Sequence, residues 1–157
     1  MLSPEALAKI DKAMAKYPPD RRQSAVMAAL TIAQEEKGWI SPETVEFVAG
    51  YLGMPPVAVW EVATFYSMYN LQPVGRYKIA VCTNLPCALA GADRAAEHLK
   101  RKLGIAFGET TADGHFTLKE AECMGACGDA PVCLLNDKTM LSFMTPDKLD
   151  ELIEELK

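Results

Sequence analysis

Leu71-Gln72-Pro73-Val74-Gly75-Arg76-Tyr77-Lys78-Ile79-Ala80-Val81-Cys82-Thr83-Asn84-Leu85-Pro86-Cys87 is the stretch on which the fold of this chain turns. Upstream of it, apolar residues recur at helical spacing. From Arg76 to Val81 they alternate, with Tyr77, Ile79 and Val81 on one face, which is the period of a strand. Leu71–Gly75, with Pro73 and Gly75, reads as the linker where the period changes. The expected organisation is a helical bundle over residues 1–73 and an α/β domain over residues 74–157. The strand runs directly into Cys82, and a second cysteine follows five residues later.

Working backwards, Ser3-Pro4-Glu5 and Ser41-Pro42-Glu43 each carry a helix-opening signature, an N-cap hydroxyl followed by Pro at the first helical position. Leu7, Ile10, Met14 and Tyr17 form one face of the first helix, which Tyr17-Pro18-Pro19-Asp20 closes. A second helix is expected from about Arg21 to Lys37, with Val26, Ala29, Leu30 and Ala33 inward and Gly38 at its end. The third directs Val45, Val48 and Leu52 inward before Gly53, and Pro55-Pro56 opens a fourth that reaches about Tyr66. From Phe47 to Gly75, 29 residues, the single charged residue is Glu61. Apolar residues on several faces of that stretch are explained by a central position in the bundle or by docking onto a partner, with Trp60–Tyr69 and the helical N-terminus as candidate contacts.

Working forwards, a helix is expected over about Pro86–Leu103, with Leu89, Ala92, Ala96 and Leu99 on its apolar side and basic residues in its last turn. His115–Ala121 reads as a strand. Pro131–Leu135 and Thr139–Phe143 flank Asn136-Asp137-Lys138 as a hairpin, and Thr145-Pro146-Asp147 caps a final acidic helix. The order β-α-β-β-β-α implies one small sheet with helices packed on it.

The chain has five cysteines. Four form two close pairs, Cys82 with Cys87 and Cys123 with Cys127, separated by 35 residues. Each pair follows an expected strand, so each belongs on a loop leaving a strand end. Two such loops converging at one sheet edge would present four thiolates to a metal centre. Pro86, Gly125, Ala126 and Gly128 are small or turn-forming residues that let backbone N–H groups approach sulfur. On spacing alone three chemistries stay open. Structural zinc tolerates such spacers. An iron–sulfur cluster is favoured, because the basic surface of zinc-ribbon nucleic-acid binders is missing. Thiol–disulfide exchange is the weakest, since no Cys-x-x-Cys occurs and no basic side chain adjoins a cysteine to lower its pKa. The fifth, Cys133, sits in the apolar run Pro131-Val132-Cys133-Leu134-Leu135 and reads as a small buried hydrophobe.

With 157 residues, half of them apolar, the chain can bury one core or two small ones. A net charge of −5 argues against nucleic acid as a main partner. The longest uncharged runs, Phe47–Trp60, Val62–Gly75 and Ile79–Ala92, are too short for a spanning helix and are broken by Pro or Gly. No signal or transit character opens the sequence, so a cytosolic location with reduced thiols is expected.

The segments Val81-Cys82-Thr83, Cys87, and Glu122-Cys123-Met124-Gly125-Ala126-Cys127-Gly128 with Ala130-Pro131 resemble the E-subunit family of bacterial NADH:quinone oxidoreductase, respiratory complex I. Gly38-Trp39-Ile40 and Glu61-Val62-Ala63-Thr64-Phe65-Tyr66 are similar to that family too, so the likeness covers nearly the whole chain. It implies a thioredoxin-like [2Fe-2S] ferredoxin domain behind a helical bundle. It also implies one [2Fe-2S] cluster whose ligands carry over as Cys82, Cys87, Cys123 and Cys127. The expected partner is a flavin-binding subunit that carries FMN and oxidises NADH, in a complex peripheral to the cytoplasmic side of the inner membrane. The same module occurs in soluble NAD-linked hydrogenases and formate dehydrogenases, which are the alternative hosts. A zinc-stabilised interaction module is the non-redox alternative.

The remaining titratable residues suggest no catalytic machinery. No G-x-G-x-x-G or P-loop is present, so hydride transfer belongs on another chain. His98 is expected to be solvated, and His115 starts a strand. The carboxylates are expected on solvated faces. Glu120, Glu122 and Asp129 crowd the second cysteine pair, against Lys119 alone, an acidic setting that would favour a low reduction potential.

Overall fold

A computed structural model describes residues 1–157, which divide into two compact units, Met1–Pro73 and Val74–Lys157. The first is all helical: α1 (Pro4–Met14), α2 (Val26–Lys37), α3 (Pro42–Leu52) and α4 (Pro56–Phe65). The Ser-Pro-Glu signatures work as their chemistry requires. Ser3 Oγ accepts from the Ala6 N–H and Ser41 Oγ from the Thr44 N–H, so each satisfies a donor that the first helical turn leaves free. Gly38 and Gly53 end α2 and α3 in the left-handed region, at φ 81° and 68°. Ile10, Leu30, Ala33, Ile40, Val45, Val48, Leu52 and Val59 fill the core of this unit.

Two expectations in this unit are corrected. The segment Pro19–Ala25 is a 3-10 turn rather than the first part of α2, with Arg21 outside the helical region at φ −125°. Asp20-Arg21-Arg22-Gln23-Ser24 offers no apolar stripe to bury, so the α-helix begins only where Ala25 and Val26 enter the core. Tyr17 lies beyond the end of α1 and is exposed. The apolar stretch around α4 divides. Val59, Ala63 and Tyr69 are buried, and Tyr69 Oη donates to the Met27 carbonyl at 2.9 Å. Phe65 is 79% exposed, with Tyr66 and Met68 also exposed.

The second unit contains β1 (Tyr77–Cys82), α5 (Leu85–Leu89), α6 (Ala92–Leu103), β2 (Phe116–Ala121), β3 (Cys133–Leu135), β4 (Thr139–Leu141) and α7 (Pro146–Glu155). The sheet order is β2-β1-β3-β4, with β1 parallel to β2 and the other two pairings antiparallel. Ile79, Val81, Phe116, Leu118 and Cys133 pack with Ala95, Ala96 and Leu99 of α6 and Leu149 and Ile153 of α7. The β3–β4 turn is built on Asn136 and Asp137 at φ 51° and 56°, the twist a tight hairpin needs. Lys78, 2% exposed, is held by Asp137 in an ion pair, and its N–H donates to Asn136 Oδ1 at 2.7 Å, so the turn is pinned to β1.

The expected single helix over Pro86–Leu103 is two helices. Gly91 breaks it at φ 101°, and Leu89 is 81% exposed rather than on the apolar side. The break turns the chain out of α5 so that α6 can lie along the sheet. His98 is not merely solvated: its Nε2 stands 2.7 Å from Asp150 Oδ1 and joins α6 to α7. His115 Nε2 stands 2.6 Å from the Leu156 carbonyl oxygen, just past the end of α7. No helix is long and apolar enough to cross a membrane.

Candidate metal centre

Parallel pairing of β1 and β2 decides where the cysteines go. Parallel strands end at the same edge of a sheet, and the register sets Cys82 opposite Ala121 at that edge. Each strand therefore releases its cysteine loop there. Cys82 is the last residue of β1 and Cys87 lies in α5, both buried. Cys123 follows β2 on an exposed loop, and Cys127 opens the short 3-10 turn Cys127–Asp129, also exposed. Cys82 and Cys87 pack with Ala92 and Val132, and Met124, Ala126 and Ala130 of the second loop pack against them. The two loops thus meet around small side chains. The Ala130–Pro131 peptide is cis, and the Cys82 N–H donates to the Val132 carbonyl at 3.1 Å.

The sulfurs stand in two pairs. Cys123 Sγ and Cys127 Sγ are 3.6 Å apart. A tetrahedral metal with metal–sulfur bonds of about 2.3 Å has sulfur–sulfur edges of about 3.8 Å, so this pair is spaced to share one metal. Cys82 and Cys87 also interact side chain to side chain. No group of three or more His, Cys, Asp or Glu side chains stands close enough to hold a single ion. Four thiols on two loops that pack together make a soft donor set of the kind that suits iron or zinc.

Electrostatics follow from that crowding. Burial pushes the Cys82 thiol up, and the sulfurs of Cys87 and Cys123 add to it. The Cys127 thiol is raised chiefly by its hydrogen bond with Cys123. Several thiolates side by side are unfavourable without a cation to offset them, whereas a coordinated thiol is deprotonated outright. The Gly125 N–H, placed by φ 76°, donates to Cys123 Sγ at 3.4 Å, and the Asn84 N–H bonds Cys82. Such donors offset part of the charge on sulfur.

Three acids near the second pair lie on the exposed surface, as expected, and each also accepts a side-chain hydrogen bond. Thr83 Oγ1 donates to Glu120 Oε1 at 2.7 Å, and Asn84 Nδ2 donates to Glu122 Oε2 at 2.8 Å. Ser142 Oγ donates to Asp129 Oδ2 at 3.2 Å. Glu120 and Glu122 are two apart, the spacing of one face of a strand. That spacing is the one sign in the sequence that both could reach one neighbour. The identity of the neighbour depends on the pairing of β2 with β1.

Cys133 lies on β3 opposite Val81, wholly buried in the apolar core. Its thiol is pushed up to about 12, mostly by burial.

Residues 10–157 match the thioredoxin-like [2Fe-2S] ferredoxin family. The chain is 45% identical over 143 residues to the E subunit of NADH-quinone oxidoreductase from Rickettsia conorii, covering 90% of this chain and 85% of that one. It is 41% identical over 148 residues to the NADH-quinone oxidoreductase subunit 2 of Thermus thermophilus, covering 94% and 82%. Among solved structures, an NAD+-reducing [NiFe]-hydrogenase in the air-oxidised state superposes with a TM-score of 0.71 at 23% identity, over 81% of this chain and 22% of that one. At that identity the likeness speaks for the fold.

Proposed function

Because the chain belongs to the thioredoxin-like [2Fe-2S] ferredoxin family, we propose that it is the electron-transfer subunit of an NADH:quinone oxidoreductase. It holds one [2Fe-2S] cluster on Cys82, Cys87, Cys123 and Cys127. The observation that carries this reading is the convergence of two cysteine pairs on the loops leaving two adjacent parallel strands. Bound there, the cluster supplies reversible one-electron transfer.

The chain's own residues hold and tune that site. Cys82 and Cys87 form its buried side, and Cys123 and Cys127 its open side. An exposed second pair leaves a short path for an electron to enter from a partner, while the buried first pair keeps bulk water away. The Gly125 and Asn84 N–H groups lie against sulfur and favour extra negative charge there. Glu120, Glu122 and Asp129 act in the opposite sense. The chain serves its complex as a subunit with no NADH or quinone site of its own.

FMN and NADH belong on a flavin-binding partner subunit, paired with this one as a heterodimer within a larger assembly. Exposed apolar side chains suit that contact: Phe65 at the end of α4 with Tyr66 and Met68 beyond it, and Leu85 and Leu89, 71% and 81% exposed, on either side of Cys87. The assembly lies on the cytoplasmic side of the membrane, with this subunit peripheral.

Anaerobic purification, metal analysis and electron paramagnetic resonance after dithionite test the reading. A red-brown protein with about two irons per chain that gains a rhombic S = ½ signal on reduction is the expected result. A colourless protein retaining one zinc per chain would overturn it in favour of a structural module.

A further inference from the structure

The backbone ladder between β1 and β2 ends with the Thr83 N–H on the Ala121 carbonyl, a long 3.4 Å bond. Beyond it the two cysteine loops are joined by side chains. Thr83 and Asn84 lie between Cys82 and Cys87 in the first loop; Glu120 stands near the end of β2, and Glu122 opens the second loop beside Cys123. The bond Asn84–Glu122 therefore carries the pairing of the strands one step past the sheet, from one thiol-bearing loop to the other, while Thr83–Glu120 ties the first loop back to the end of β2. Both have a carboxylate acceptor, which makes them the stronger kind of hydrogen bond. The far end of the second loop is tied separately, by Ser142 Oγ on Asp129 and the Phe143 N–H on the Asp129 carbonyl.

We propose that Thr83, Asn84, Glu120 and Glu122 form a cross-loop clamp of positioning residues that sets the distance between the two cysteine pairs and so governs how long a metal centre is retained. The proposal rests on the ligand set given above. Both bonds are exposed, so they add little to the stability of the fold. Their consequence falls on the exposed Cys123–Cys127 pair, whose loop rests on the first through Met124, Ala126 and Ala130. A side chain that merely made the surface acidic would act through its charge. A clamp acts through its acceptor oxygen, and the two roles separate by substitution.

The test compares the wild-type chain with Asn84→Ala, Glu122→Ala, the double variant and Glu122→Gln. Each is loaded with metal, and loss to an excess of chelator is followed by absorbance and metal analysis. Asn84→Ala and Glu122→Ala are each expected to speed loss by about two- to tenfold, and the double variant no further than the faster single one. Glu122→Gln, which keeps an acceptor oxygen for the Asn84 amide but a neutral and weaker one, is expected to recover most of the wild-type lifetime. Metal-free thermal midpoints should stay together, and the paramagnetic line shape of the reduced Ala variants should broaden. Wild-type lifetimes in both single variants, or a double variant whose effect is the product of the singles, would overturn the clamp. So would Glu122→Gln behaving like Glu122→Ala. If the wild-type chain carries zinc, the ferredoxin reading falls, and zinc loss from the same variants still decides the clamp.

Discussion

Cys133 shows how position separates two roles for one residue type. It shares an apolar core with Val81, Leu118 and Leu149, and burial holds it as a neutral thiol. Cys133→Ser puts a hydroxyl into that core, which is expected to cost about 1–3 kcal/mol in chemical unfolding of the metal-free protein. Iron content should stay at the wild-type level. Cys123→Ser should lose the centre, and full iron with an unchanged spectrum in that variant would remove Cys123 from the ligand set. The acids beside the second pair act over a longer range. Replacing Glu122 and Asp129 together by Gln and Asn removes two negative charges near the site and should raise its midpoint potential. An unaltered redox titration would mean that backbone N–H donors and burial dominate.

Helix ends are decided locally, and this is where single substitutions read most directly. Gly91 separates α5 from α6 at φ 101°, and a Cβ there would also stand 3.1 Å from the Arg94 guanidinium. Gly91→Ala should destabilise the second unit by about 1–2 kcal/mol, chiefly through the left-handed backbone, as measured by urea unfolding. Between α1 and α2, Glu36 accepts from the Ser3 hydroxyl at 2.6 Å and from the Ser3 N–H. These bonds, the hydroxyl's first, lower its carboxyl to about 2. A depressed carboxylate contributes stability that is fully present above its ordinary pKa of about 4.5 and lost as pH falls towards about 2. Acid unfolding of Glu36→Gln should therefore be less steep over that window than that of the wild type, and identical profiles would show that the link carries no weight.

At the scale of the molecule, each unit has its own core, and exposed apolar side chains remain on each. Phe65→Asp removes the most exposed aromatic ring on the helical unit without touching its core. Its thermal midpoint should match the wild type, while affinity for the proposed flavin-binding partner should fall about tenfold, as loss of an aromatic anchor does. An unchanged Kd would move the docking surface elsewhere, with Leu85 and Leu89 next to be tested. Electron transfer through the assembly should slow only as far as association weakens, because Phe65 lies in the unit without the cysteines.

Features that depend on near neighbours in the chain are legible in the residues alone. Ser3 and Ser41 cap helices because a hydroxyl reaches a donor three residues on, and Asn136-Asp137 turns a hairpin because both residues tolerate positive φ. The two cysteine pairs are legible for the same reason, the members of each standing only four or five residues apart in the chain. Other features wait on which elements become neighbours in space. The helix break at Gly91 answers to the direction α6 must take along the sheet, and a glycine in an apolar-periodic run does not announce it. His98 finds Asp150 across 52 residues of chain, and Glu122 finds Asn84 across 38. Those partners exist because β1 and β2 pair in parallel and α6 and α7 pack side by side. A side-chain hydrogen bond reaches only about 3 Å, so its partner is set by packing, which no local pattern encodes.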